Sequence, residues 1–338
     1  MLTIFTIPKP FRNHIATIQT NALQSWLKLD PGCEVILCGD DEGVAEIAKK
    51  FGVRHIPDLV RNAYGTPLLT SAFRRVQEIA ENSIICYVNA DIILFPDLLE
   101  AVKRIPFEQF LMVGRRWDLD ISAEIDFESE DWESKLKNDL QSRGILHGAS
   151  GIDYFVFPKE SIGELPHFAV GRPGWDNWLI YRARSLGLPV VDATNAVTII
   201  HENHDYSHVQ GRRGNTYEGP EGDENVKLMG GLEKAYVLSD ATWILTQKEL
   251  TPARTTRHLV GIIFRWIAPH LGLYILRRDM SRMYEFLKVI RAGEFSLVRL
   301  LKSVKNHNFL KSVSTLLCGN LVLHLLGAMT YPVLARLP

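Results

Sequence analysis

YVNADIIL, Tyr87–Leu94, is an apolar run into which the chain sets an amide, Asn89, and a carboxylate, Asp91. A lone ionised group inside a strand covered on both faces would be costly. A strand over IICYV (Ile84–Val88) that stops before Asn89 removes the difficulty, because Asp91 then lies beyond its carboxyl end. In open α/β sheets that end is where ligands bind. Asp91 could instead cap the segment that follows, although Phe95–Asp97 ahead of DLLEAVKRI offers a better cap.

The flanking sequence supplies such a sheet. LTIFTI, EVILCG, VRHI, IICYV and FLMVG are short, aliphatic or β-branched, and bounded by Gly, Pro, Asn or Asp. Between them run helical patterns: Ile15, Ile18, Ala22 and Trp26; Val44, Ile47, Ala48 and Phe51; Leu69, Phe73, Val76 and Ala80. Continuous apolar strands alternating with helices predict an α/β fold, a mostly parallel sheet covered by helices on both faces.

At 338 residues, with 46% hydrophobic and 23% charged residues, the chain can bury a large core. Its net charge of −1 hides an asymmetry. Residues 251–338 carry 13 Lys or Arg against three acids, an excess of ten positive charges, which leaves −11 for residues 1–250. The split predicts two regions, an acidic domain over 1–235 and a basic, mostly helical region over 236–338 suited to an anionic membrane surface. The apolar stretches in that region are interrupted by Arg265, Pro269, Asn320 and His324, which disfavours membrane-spanning helices. An ordinary helical subdomain is the alternative. Nucleic acid is not an expected partner, since no RNA-binding motif or stacking platform accompanies the charge. Cys33, Cys38, Cys86 and Cys318 lack paired CxxC spacing and read as buried thiols in a reducing compartment. MLTIFTIPKPF has no basic region and too short an apolar run for a signal peptide, so it reads as a first strand.

A carboxylate at a strand end suits Mg²⁺ or Mn²⁺, hard cations that take one or two carboxylates, water and substrate phosphates. Neither GxGxxG nor GxxxxGK[ST] follows the first strand, which argues against a dinucleotide dehydrogenase or a P-loop kinase. RNAYGTPLL places Arg61, Asn62, Tyr64, Gly65 and Thr66 just before a helix, where backbone N–H groups favour phosphate or sugar hydroxyls; Arg61 could also be a solvated surface residue. In GRPGWDNWLIYRARSLGLP, Trp175, Leu179, Ile180 and Ala183 predict a helix after Gly174 that stops at Gly187. Asp176 stands in its first turn. There it is either a helix-favouring carboxylate or an acid whose pKa Trp175 and Trp178 raise while offering stacking faces to a sugar. Asp153, at the start of the strand in GIDYFVFP, either faces the same ligand crevice or simply ends strand pairing. GRRWDLDI adds Arg115, Arg116, Trp117, Asp118 and Asp120 as recognition candidates. HENHDYSH, after the strand AVTII, brings His201, His204 and His208, and EIDFESEDWESKLKNDL reads as a solvated helix. Residues 209–231, Gly-rich and polar, read as a mobile lid.

With these motifs in this order, residues 1 to about 210 resemble GT-A glycosyltransferases, in particular bacterial family-2-like members with a relaxed DxD motif, here Asn89-Ala90-Asp91. The resemblance implies a Rossmann-like catalytic domain that transfers a sugar from a nucleotide-sugar donor to a hydroxyl of a saccharide or lipid-linked acceptor. It implies inversion, and a place in polysaccharide or glycolipid assembly. By it, the nucleotide lies over Thr6, Ile7 and Pro8 and over Asp40 and Asp41, the acids serving equally well as caps of the next helix. His201 would join Asp91 on the metal, and Asp176 would deprotonate the acceptor. The expected location is cytoplasmic, extending to the cytoplasmic face of the membrane. Two alternatives stand beside it. One is nucleotidyl transfer to a sugar phosphate, for which TIPKPFRNH offers Lys9 and Arg12 but no glycine. The other is a non-catalytic carbohydrate- or membrane-binding protein.

Overall fold

The computed structural model describes residues 1–121, 123–203, 219–231 and 234–254. His204, His208, residues 209–218 of the expected lid and most of the basic C-terminal region lie outside the described residues.

Five strands stand where the aliphatic runs predict them: β1 (Leu2–Thr6), β2 (Glu34–Cys38), β3 (Arg54–Ile56), β4 (Ile84–Val88) and β6 (Leu111–Val113). β9 (Tyr154–Pro158), β10 (Val190–Asn195), β12 (Trp243–Thr246) and β13 (Leu250–Pro252) complete a nine-stranded sheet of order β13-β12-β10-β6-β9-β4-β1-β2-β3. Every neighbouring pair is parallel except those made by β9, which runs against β4 and β6, and by β13, which runs against β12. The sheet therefore continues to Pro252, past the boundary expected at residue 235.

Period-2 alternation along the strands feeds two cores. Phe5, Tyr87, Phe155 and Phe157 face helices α3 (Leu69–Ile79) and α6 (Trp175–Ser185). Ile4, Cys86, Val88 and Val156 face α1 (Asn13–Leu27), α2 (Val44–Phe51) and α4 (Asp97–Lys103). Both faces are thus covered, as expected of a sheet whose strands lack polar alternation. Cys38 and Cys86 are buried free thiols.

A second sheet was not foreseen. YVNADIIL is two strands joined by a turn: β4 ends at Val88, and Ile92–Leu94 forms β5 in a four-stranded sheet of order β5-β11-β7-β8. Its other members are β7 (Trp117–Leu119), β8 (Ile145–Leu146) and β11 (Ile199–Glu202). Beneath it Ile93, Phe95, Leu119 and Ile200 pack on Leu136 and Leu140 of α5 (Trp132–Arg143), the helix expected in the acidic insertion. Polar groups of α1 fasten β5 in place, with Trp26 Nε1 donating to Ile92 O at 2.8 Å and Leu94 N donating to Ser25 Oγ at 3.0 Å. Among the described residues no helix is long and apolar enough to cross a membrane.

Candidate active site

The turn Asn89–Asp91 sits where the two sheets meet, at the mouth of a cleft of about 430 Å³. Asn89, Ala90 and Asp91 line it, together with Asp153, Asp176 and His201. Acids at the ends of β4 and α6, far apart in sequence, therefore share one cavity.

Strand pairing explains the convergence. β11 runs between β5 and β7, with His201 opposite Ile92 on one side and Asp118 on the other. The Glu202 N–H donates to Asp91 O at 3.2 Å and closes the turn against β11. Asp91 Oδ2 lies 3.9 Å from His201 Nε2 and 3.7 Å from Lys9 Nζ. His201 is buried, and its Nδ1 lies 3.4 Å from Asp118 Oδ1.

Antiparallel β9 brings its first end to the last end of β4, so that Val88 pairs with Tyr154 and Asp153 meets Asn89. Asn89 Nδ2 donates to Asp153 Oδ1 at 2.6 Å, and Arg116 Nη1 donates to Asp153 Oδ2 at 2.9 Å. Both carboxylate oxygens are thus occupied. Arg116 also donates from Nε to Asp118 Oδ1 at 2.9 Å, which joins an acid of the large sheet to one of the small sheet. Burial pushes the Asp118 carboxyl up, but hydrogen bonding to His201 and His147 and the adjacent Arg116 charge outweigh it and hold the group well below its usual range.

Asp176 sits in the first turn of α6 as the sequence predicts. The helix opens after Gly174, whose φ of 99° is a conformation that side chains rarely adopt. Burial raises the Asp176 carboxyl to about 6, aided by the charge of Asp153 and opposed by backbone N–H groups at the helix start. Its Oδ1 is sealed from solvent and has no hydrogen-bond partner among the described residues. Trp175 packs edge-on against Tyr87, with ring centroids 5.1 Å apart, and lines the cleft. Trp178 does not flank the site. It is buried against Phe168 at 5.5 Å, because helical spacing turns it toward the core.

The remaining candidates divide in the same way. Ile7, Pro8, Asp41, Arg61 and Thr66 line the cleft. Thr6 is buried at the end of β1, beneath that lining. Arg61 bridges Asp40 and Asp41 and donates to Gly65 O at 2.7 Å, so these residues form one cluster. The cap of α2 is Gly43, with no side-chain hydrogen bond from either acid. Asn62 organises its own turn, accepting from the N–H groups of Tyr64 and Thr66. Arg115 turns away to the carbonyls of Leu146 and His147, and Trp117 packs on the core beneath the small sheet.

Four contributors escaped the motif reading. Gln19 on α1 clamps the β1–α1 loop, accepting from Lys9 N at 2.7 Å and donating to Lys9 O at 2.8 Å. Asn21 donates to Glu202 Oε2 at 3.0 Å. The signal was available: Gln19 and Asn21 are polar residues beside the apolar stripe of Ile18, Ala22 and Trp26. Arg172, in the loop before α6, lines the cleft and donates to Glu221 Oε2 from Nε at 3.0 Å and from Nη2 at 2.5 Å. Glu221 also accepts from Asn62 and belongs to α7 (Pro220–Met229), a helix within the stretch expected to be a lid.

No family model matches the chain, and no curated protein matches it. It is similar to several solved structures. One is glucosyl-3-phosphoglycerate synthase of Mycobacterium tuberculosis, crystallised with Mg²⁺ and UDP, at 16% identity over 70% of this chain and 79% of that one, with a TM-score of 0.43. Another is TarS 1-349 of S. aureus in complex with UDP-GlcNAc, at 12% identity over 69% and 72%, with a TM-score of 0.41.

Proposed function

We propose that this chain is a glycosyltransferase that moves a sugar from a nucleotide-sugar donor to a hydroxyl acceptor with inversion. The observation that carries the reading is the shared cleft, in which Asp176, an acid of raised proton affinity, lies with Asp91 and His201.

Asp176 takes the acceptor O–H proton. The acceptor oxygen then forms a bond to the anomeric carbon as the bond from that carbon to the diphosphate breaks, and the electron pair leaves with the nucleoside diphosphate. A carboxyl near 6 is ionised at neutral pH yet basic enough to share a proton in the transition state. One base, rather than two acids flanking a glycosidic bond, distinguishes this from hydrolysis. The Arg61 cluster and the β1–α1 loop held by Gln19 suit the nucleotide, and Arg116 fixes Asp153 on the cleft wall.

The donor set of Asp91 and His201, a carboxylate oxygen and an imidazole nitrogen 3.9 Å apart, fits Mn²⁺ or Mg²⁺. Among the described residues no three His, Cys, Asp or Glu side chains form a complete cage, so substrate oxygens and water would fill the other positions. The cation would neutralise the charge that grows on the departing diphosphate. The 13 cations of residues 251–338 suit an anionic membrane surface, hence a lipid-linked acceptor in polysaccharide or glycolipid assembly. Buried free thiols suit a cytoplasmic site of action.

Release of nucleoside diphosphate from a panel of sugar nucleotides, with and without Mn²⁺, tests the proposal. Turnover unchanged by chelator and by Asp91→Ala would remove the cation, and pyrophosphate as product would replace glycosyl with nucleotidyl transfer.

A further inference from the structure

Asp118 is the most heavily engaged acid of the site, although it is absent from the cleft lining. Arg116 Nε donates to its Oδ1 at 2.9 Å, and His147 Nδ1 lies 2.6 Å from its Oδ2. The same Oδ1 lies 3.4 Å from His201 Nδ1, at the outer edge of hydrogen-bonding distance. Parallel pairing of β7 with β11 sets Asp118 directly beside His201, so both side chains stand on one face of the small sheet. The imidazole is thus held between two carboxylates, with Nδ1 toward Asp118 and Nε2 toward Asp91.

A buried neutral imidazole carries its proton on one nitrogen, and the partner of that nitrogen decides which. Asp118 Oδ1 is the nearer of the two flanking carboxylate oxygens, 3.4 Å from Nδ1 against 3.9 Å from Nε2 to Asp91 Oδ2, and Arg116 and His147 hold Asp118 in place on its side of the ring.

We propose that Asp118 is the positioning residue of His201. It holds the ring as the Nδ1–H tautomer, so that the Nε2 lone pair is presented to the Asp91 side of the cleft, with Arg116 and His147 fixing Asp118 in turn. This rests on the reading of Asp91 and His201 as cation donors. A carboxylate behind a ligating histidine sets its tautomer and raises its basicity, and loss of such a partner lowers metal affinity by roughly 10–100-fold. No activity is needed to see the first effect.

The decisive measurement is ¹⁵N NMR of the ring of His201 in the ligand-free full chain, at a pH where the ring is neutral. The expected spectrum has a protonated Nδ1 and an unprotonated Nε2. Asp118→Leu, which removes the acceptor beside Nδ1, should move the proton to Nε2 and weaken Mn²⁺ binding by calorimetry about 10–100-fold. An Nε2–H tautomer in the unaltered chain would overturn the proposal whether or not the variant folds. So would an Asp118→Leu chain that keeps both the Nδ1–H tautomer and its Mn²⁺ affinity. An unaltered chain with the expected tautomer but no affinity for Mn²⁺ would instead overturn the cation reading and leave the positioning role supported.

Discussion

Asn89 donates its side-chain amide to Asp153 at 2.6 Å, so the first position of the DxD-like motif is tied to a neighbouring strand. An aspartate at that position would set two carboxylates against each other. The amide is therefore what this wall of the cleft requires.

Asn89→Asp, which restores the motif in name, should lower both stability and turnover. Replacing a donor with a like charge at a buried carboxylate costs on the order of 1–3 kcal/mol. Thermal melting and nucleoside diphosphate release both read this, and a variant with unchanged melting and higher turnover would contradict the role assigned to the pair.

Asp176→Asn should lose about 10²–10⁴ in kcat with little change in donor affinity, the usual contribution of a general base. It should also gain stability at pH 8. A carboxyl raised to about 6 in the folded chain is destabilising once ionised, by roughly 3 kcal/mol for a shift of that size. Melting by calorimetry alongside kcat would show the exchange of stability for activity; loss of both would assign Asp176 a structural role.

The pH dependence has a definite sign. Turnover should fall as pH drops below about 6, tenfold per unit, as Asp176 takes up its proton. The stability contribution of the same group runs the other way. Between its unfolded value near 3.8 and about 6, the folded chain keeps a proton that the unfolded chain has released, so stability declines as pH rises and levels off above about 6. In Asp176→Asn that part of the slope should vanish from a pH series of urea melts.

Trp178→Ala should cost about 3–5 kcal/mol of stability, because the ring is buried against Phe168. Its effect on acceptor KM, measured below the melting range, should be small. A large rise in KM without loss of stability would return Trp178 to the site.

The large sheet and its helices were legible because strands covered on both faces leave an unbroken apolar signature, as in LTIFTI and IICYV. That Asp91, Asp176 and His201 reach one cleft was legible because each stands at the end of such an element. The small sheet was not. β5, β7 and β8 are two or three residues long; β5 and β7 pair with the distant β11, and β8 pairs with β7, contacts that no local period records. Trp178 misled for a related reason: at helical spacing an aromatic beside a functional acid can turn to either side, and only packing decides. Gln19 and Asn21 were visible as polar residues on α1, but their partners lie in a loop and a distant strand.

The division between two sheets has a mechanical consequence. Asp153 and Asp176 ride on the nine-stranded slab and its helix, whereas His201 and Asp118 ride on the small one, and Asp91 is part of the hinge pin between them. Slippage at that joint would separate Asp176 from His201 while leaving the main hydrophobic layers intact. Gentle heating should accordingly silence the protein before it melts, with amide exchange quickening first at Ile92–Leu94 and Ile199–Glu202; simultaneous loss of activity and of all protected amides would show that the two slabs yield as one.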